Sequence, residues 1–598
     1  MDAAPEPNHD DVSGTGGAFR FAWLRALGFG LLFGVVTGVS QTVPDLWWMG
    51  LTAPMALIWL AVRPGMRPSR AGFWAAIGVM PWWGWSHAWV VDISSAGVAP
   101  LVIYLSLWTM LFVWIGGRVV ARLPGMMVVS LPTLWVGLEF LRGSVLFSGY
   151  AWFLAGHPSI ESPGAGLAFP AAWGGAYLVS WLVVLGSTLA VCWSVPGLKR
   201  PALGLAVPGA VLWLLWFVPG VAGWFTPASG EGPTLRVAVV QSNVPQSNKI
   251  AWGFTQRYLD WLDLKDLTIE AASYEPDVIV WPETMFPGLT LDPESVEAER
   301  AFGLAWPIDR AADPRLDTLG DLTDSTSVVS ELLALQRGLG IPMLIGATGH
   351  DGFEIASTPQ GEIDFRWDAQ HNSVFLIRNG AVRGARYNKM VLMPFGEVMP
   401  YVSAWPWLEK QLLAIGAEGM SFTLDAGAGP VWFEIDTDGA SGGVATPICF
   451  EATMPAVGRR LVFEDGRRRA NLLVNPSNDG WFGDSVAMRE YYLRSCRWRS
   501  AELATPMVRA CNTGISAVID ARGRLVADTL TSPAGARAHA SGVLVEDVTL
   551  GRGTTIYGVW GWLVDLVYAA GLVLTLAAGF LLRPAESPNT DTASPEEN

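Results

Sequence analysis

VIVWPETMFPG, residues 278–288, is the stretch on which the fold turns. Val278, Ile279 and Val280 favour a buried strand, Pro282 ends it, and the chain arrives at a carboxylate, Glu283. Two later phrases have the same build: RYNKMVLMPFGEVMPY (386–401) carries Lys389, and ATPICFEATMP (445–455) carries Cys449. Around them, runs such as LRVAVVQSN, IPMLIGATG, NSVFLIRNG, NLLVNPSND, PMVRACNTG and ISAVID alternate with helical stretches such as YLDWLDLKDLTIEAAS. Strands separated by helices indicate an α/β domain over 234–548, and several run too close together to be all parallel. A layered mixed sheet with helices on its outer faces is predicted.

On both sides of this block the pattern changes. A helix needs ~20 mostly apolar residues to cross a bilayer, because its backbone must be satisfied internally. Such stretches fall near 21–40, 45–62, 72–90, 98–117, 125–141, 171–195, 202–223 and 558–581. About eight spans are therefore expected, as an α-helical membrane bundle over 21–223 and a final span at 558–581. Composition agrees: hydrophobic residues make up 51% of the 598, charged residues only 16%, and there are 31 Trp.

Short-loop cations set the orientation. Arg63, Arg67 and Arg70 follow the second stretch, Arg118 and Arg122 the fourth, Lys199 and Arg200 the sixth, and Arg583 the last. The loops between have almost none, so both termini are expected in the cytoplasm and the α/β block outside it. The polar 1–20 carries no small-residue cleavage site behind the first stretch, which reads as a retained anchor. The stretch 142–170, with GHPSIESPGAG, reads either as a re-entrant segment lining a lipid entrance or as an ordinary loop. The acidic 288–326 reads as a disordered or passive surface loop ahead of a lid, and 584–598 as a disordered tail.

A net charge of −15 with no basic run argues against nucleic-acid binding. Cys192, Cys449, Cys496 and Cys511 are too few and too irregular for a disulfide framework. The six His show no ligand spacing, so no metal and no cofactor are expected; His87 and His157 read as hydrogen-bonded structural residues.

A carboxylate, an amine and a thiol that each close a strand or loop form a nucleophilic site. Cys449 would sit on a strand-to-helix turn where the helix N-terminus and Lys389 favour the thiolate. Glu283 would take the thiol proton and return it to the leaving group, and Lys389 would stabilise an oxyanion. Glu397 and Glu451, inside the same phrases, read as supporting acids.

WPET, YNKMVLMPFGEVMP, PICFE, SNDGWFGD and RWRSAELATPMVRACNTG together resemble the apolipoprotein N-acyltransferases, bacterial membrane members of the nitrilase superfamily. The likeness includes the span layout and so covers nearly the whole chain. It implies a polytopic bundle joined to a nitrilase-like sandwich, in the inner membrane with the catalytic domain on the periplasmic face. It further implies that a fatty acyl chain passes from a phospholipid to the enzyme cysteine, and then to the α-amine of a diacylglyceryl-cysteine apolipoprotein. By motif, Cys449 is the nucleophile, Glu283 the base and Lys389 the charge-stabilising residue; Glu397, Glu451 and Asn372 support them. Phe450 stands where many relatives have Tyr, and its N–H is available to an oxyanion. Trp252 lies two residues further on than in the family. A monomer is expected.

A lipid substrate also follows from physics. Moving a ~16-carbon chain into water costs roughly 12 kcal/mol at ~0.8 kcal/mol per CH₂, so such a transferase must work at the bilayer. Trp405 and Trp407, within 399–416, suggest an arm dipping into lipid, with a core helix as the other reading. Together with Trp252 they are candidate substrate contacts. Two other functions compete: a membrane-bound nitrilase-type amidase using water as acceptor, and a silent scaffold or transporter. The scarcity of charges within the spans argues against transport.

Overall fold

The computed structural model describes residues 21–584, apart from 94, 196–198, 225–231, 246–251, 395, 399–423, 438–439, 527–529 and 532–534. The readings for 1–20, for Trp405 and Trp407, and for the tail from 585 lie outside the described residues.

Among the described residues, seven segments are long and apolar enough to cross a membrane: Ala22–Thr42, Pro44–Val62, Ser95–Arg122, Pro124–Ser148, Ala171–Ser194, Gly204–Val221 and Ile556–Leu581. The stretch expected at 72–90 forms the helix Pro68–Ser86, but it is not among these seven. Its glycines, Arg70 and four Trp lower its mean hydropathy. It is nonetheless built into the bundle. A Cβ on Gly30 would lie 2.1 Å from Ala75 O, and one on Gly78 2.2 Å from Leu27 O, so these two helices cross backbone to backbone on small residues. The second segment is also not one helix. Pro44–Leu51 is 3-10, with Leu46 outside helical angles, and only Pro54–Val62 is α-helical.

Among the described residues, the soluble block holds eighteen strands. They are β1 Thr234–Gln241, β2 Val278–Val280, β3 Ala305–Pro307, β4 Leu322–Asp324, β5 Met343–Asp351 and β6 Glu354–Ser357. Then come β7 Ile363–Arg366, β8 Ala369–Arg378, β9 Ala381–Val382, β10 Tyr387–Asn388, β11 Trp432–Thr437 and β12 Ala440–Ala445. The last six are β13 Phe463–Glu464, β14 Arg467–Arg468, β15 Leu472–Ser477, β16 Met507–Cys511, β17 Ala517–Ile519 and β18 Gly542–Thr549. One sheet runs β10-β8-β5-β2-β1-β18, with β9 also on β8, and the other runs β11-β12-β15-β16-β17. Both are mixed: β1-β2-β5 and β12-β15-β16 are parallel, and the outer pairs are antiparallel.

Alternation along β1 shows the layering. Val237 and Val239 share a core with Leu473, Val474 and Val508 of the second sheet. Ala238 and Val240 face the other way, onto Trp261 and Leu264 of the helix Phe254–Ala272 and Leu332 of the helix Ser327–Leu339. The result is a two-sheet sandwich with helices on its flanks.

Region 288–326 differs from its expectation. It holds the helix Pro293–Phe302 and the β3–β4 hairpin, and Leu291, Val296, Trp306, Ile308 and Leu316 are buried in the outer core. These apolar anchors order the stretch despite its acidic composition.

The stretch 142–170 is a buried seam between bundle and sandwich. Most of Ala151–Ile160 is buried, and it packs on the helix Val486–Leu503. His157 Nδ1 lies 2.6 Å from Tyr491 Oη, Trp498 Nε1 donates to His157 O at 3.2 Å, and Phe153 N–H donates to Tyr491 Oη. Arg494 and Arg497 both reach Glu161, at 2.8 and 2.6 Å. His87, the other histidine among the spans, lies 2.6 Å from Tyr150 Oη. At the far end of the bundle, Arg25 donates to Arg63 O, Arg118 to Gly579 O and Arg122 to Leu582 O.

Candidate active site

Glu283 lies just past β2, and its turn needs two local concessions. Thr284 takes φ +48°, and Gly346 on β5 leaves the turn room, since a Cβ there would meet Pro282 O at 2.3 Å. The carboxylate is buried and accepts from Asn372 Nδ2 at 2.6 Å and from the Asn478 backbone N–H at 2.8 Å. Lys389, directly after β10, is 1% exposed, with Nζ 2.8 Å from Glu397 and 3.5 Å from Glu283. Glu397 also accepts from Met393 N–H at 2.8 Å, and Asn372 Nδ2 approaches it at 3.4 Å.

Cys449 is buried and opens a five-residue 3-10 turn, Cys449–Thr453, at φ +49°. The expected helix begins only at Pro455. A single 3-10 turn brings little of a helix dipole to the thiol. Burial, and then Glu283, push the thiol up to about 12 against the opposing pull of Lys389. Lys389 pulls toward the thiolate, as expected, but burial outweighs it. Burial thus favours the neutral thiol. Burial alone would lower Lys389, but Glu397, Glu283 and Cys449 outweigh it, and the ammonium is held above its ordinary value.

Glu451 fastens the lysine loop to the Cys449 turn. One oxygen accepts from Met390 and Val391 N–H at 2.7 and 2.9 Å; the other accepts from Ile448 N–H at 2.9 Å and Tyr387 Oη–H at 2.8 Å. Burial pushes this acid up to about 7, against Lys389 and the N–H donors. Phe450 turns toward the bundle, its ring 6.4 Å from Trp152. Trp252 is set on the outer helix Phe254–Ala272, where it donates to Asp260 at 2.6 Å beneath Arg257.

Four supports were not read from the sequence. Asn475 donates to Pro447 O and Cys449 O at 2.7 and 3.2 Å, pinning the chain on both sides of Ile448. Arg509 holds Asn475 Oδ1 at 3.0 Å and pairs with the fully buried Asp479 at 2.6 Å. Asn478 supplies the N–H on Glu283, and Tyr387 braces Glu451. The phrases NLLVNPSND and SNDGWFGD held two of these four, Asn475 and Asn478, but only long-range contacts give them roles. Among the described residues, no three His, Cys, Asp or Glu gather as a metal site.

Residues 33–189 match the family model of the apolipoprotein N-acyltransferase N-terminal domain, and 236–555 match that of carbon-nitrogen hydrolases. An apolipoprotein N-acyltransferase of Azotobacter vinelandii is 30% identical over 579 residues, covering 92% of this chain and 94% of its own. One of Vibrio cholerae is 26% identical over 564 residues, with 92% and 95% covered. One of Bordetella bronchiseptica is 31% identical over 473 residues, with 76% and 73% covered. The chain belongs to the apolipoprotein N-acyltransferase family, a multi-pass bacterial membrane protein built on a carbon-nitrogen hydrolase domain.

Proposed function

We propose that this chain transfers a fatty acyl group from a membrane phospholipid, through a thioester on Cys449, to the α-amine of a diacylglyceryl-cysteine apolipoprotein. The observation that carries this reading is the meeting of Glu283, Lys389 and the Cys449 turn in one buried site against the seam with the bundle. Glu283 takes the Sγ proton as sulfur bonds to the ester carbonyl carbon. Lys389 offsets the charge on the carbonyl oxygen. When the ester C–O bond breaks, Glu283 returns the proton to the departing lysophospholipid oxygen. In the second half the acceptor amine, deprotonated by Glu283, bonds to the thioester carbon; the C–S bond breaks and the thiol regains its proton. Asn372 orients Glu283, Glu397 orients Lys389, and Glu451 joins the two loops.

The family of its relatives favours transfer over hydrolysis. Arg118 and Arg122 bond the C-terminal end of the helix Ile556–Leu581, whose first turn packs on Phe463 of the sandwich, and this supports cytoplasmic termini and a catalytic domain outside the cytoplasm. The test supplies purified protein with phospholipid and a diacylglyceryl peptide and weighs the peptide. The reading expects one added acyl chain; an unmodified peptide beside free fatty acid would replace transfer by hydrolysis.

A further inference from the structure

A cleft of about 310 Å³ opens where the bundle meets the sandwich. One wall carries Trp85 and Trp89, at the end of the helix Pro68–Ser86; the other carries Phe482, Asp484 and Met488, at the start of the helix Val486–Leu503. Trp85 is exposed at the rim of this cleft. Trp89 meets Phe482 edge-on at 4.9 Å, and its Nε1 has no hydrogen-bond partner among the described residues. Asp484 is exposed and makes no ion pair or hydrogen bond among the described residues; Arg489 and His539 act on it from further away.

A second observation concerns Arg489, one residue past the cleft wall. It is fully buried, and none of its three side-chain nitrogens has a hydrogen-bond partner among the described residues. Asp479, a nearby carboxylate, is already held by Arg509 and Ser477. A buried guanidinium without an anion is costly, so it persists where function supplies the anion. The junction therefore offers a carboxylate and indoles for a cation, and beside them a guanidinium that lacks an anion.

We propose that this cleft is a headgroup subsite for a zwitterionic phospholipid, with the ammonium between Asp484 and the Trp85 and Trp89 indoles and the phosphate drawn toward Arg489. The proposal rests on the acyl-donor reading above. The acceptor's α-amine fits less well, because it must touch the acyl carbon at Cys449. The cleft is set apart from Cys449 by the aromatic row Phe482, Trp152 and Phe450, with centroids 6.0 and 6.4 Å apart. A headgroup nitrogen, by contrast, lies many bonds from its own ester carbonyl and need not touch Cys449.

The test uses the full chain in detergent micelles with phosphatidylethanolamine or phosphatidylglycerol of identical acyl chains, and reads lysophospholipid release as the thioester forms. Asp484→Asn should shrink the ethanolamine-over-glycerol preference about tenfold, through KM rather than kcat. Trp85→Ala should act in the same direction. Arg489→Met should slow release from both donors while leaving the unfolding temperature unchanged or raised, since it removes an uncompensated buried charge. A lowered unfolding temperature would mean that Arg489 has a structural anion, and would overturn its part. An unaltered donor ratio in Asp484→Asn would overturn the subsite. So would slower consumption of a preformed thioester by a diacylglyceryl peptide, which would make the cleft an acceptor site. If the parent releases lysophospholipid from neither donor, the acyl-donor reading itself fails, and the subsite with it.

Discussion

Replacing Glu451 by Gln separates placement of the catalytic groups from their chemistry. The carboxylate holds four donors, three of them backbone N–H groups. Gln keeps one oxygen for Met390 and Val391 N–H, and Tyr387 turns to accept from its amide. Ile448 N–H is then left facing an NH₂. One buried N–H without an acceptor costs ~1–3 kcal/mol, and loss of charge on the remaining bonds adds ~1 kcal/mol. The sum, ~2–4 kcal/mol, lowers the unfolding temperature by roughly 5–15 °C at ~2–4 °C per kcal/mol. A shift of about 1 Å between Lys389 and the thiol should cost on the order of 100-fold in kcat.

Protonation adds a second signature. The folded pKa of Glu451, about 7, lies above the unfolded value of ~4.3. The native state therefore holds more protons between those values. This contribution to stability is whole below ~4.3 and is lost as pH rises through about 7. Gln cannot titrate, so the variant's unfolding temperature should be flatter across that window. Tryptophan-fluorescence melts from pH 4 to 8, with acyl transfer measured beside them, read both effects. Parent-like kcat together with a parent-like melt would refute the clamp assigned to Glu451.

Three further outcomes follow from the same geometry. Alkylation of Cys449 by iodoacetamide should be slow at pH 7 and still rising at pH 10; Glu283→Gln should speed it by removing a neighbouring negative charge while abolishing transfer, and a parent profile levelling off near pH 8.5 would contradict the buried neutral thiol. A thiol reporter placed at 66 should be shielded from a membrane-impermeant label in intact cells and one at 230 should react, whereas the reverse would invert the proposed topology. Trp405→Ser with Trp407→Ser should cut activity on bilayer phospholipid at least fivefold more than on a short-chain soluble ester; equal losses would return 399–416 to a core helix.

Long apolar runs and the three motif phrases were legible because each is local in the chain. Glu283, Lys389 and Cys449 all follow strand ends, and strand ends can be read from composition. The helix Pro68–Ser86 shows where hydropathy misleads, since Trp ranks as weakly apolar even where its ring lines a helix crossing. Region 288–326 was misread because its order comes from Trp306 and Leu316 reaching a core built by distant helices. The same is true of the clamps. Asn475 on the Cys449 turn, Arg509 on Asp479 and Glu451 on the lysine loop are bonds across 26, 30 and about 60 positions. The thiol's protonation was also out of reach, because the sequence names its charged neighbours but not how deeply the site is buried.

The most direct measurement of the central claim is the mass of the protein after incubation with phospholipid alone. The account predicts one acyl chain on Cys449, one lysophospholipid released per site and then a stall. Adding a diacylglyceryl peptide should remove the acyl chain and restart turnover. Steady release of free fatty acid at the acceptor-stimulated rate, or transfer by Cys449→Ala at the parent rate, would contradict it.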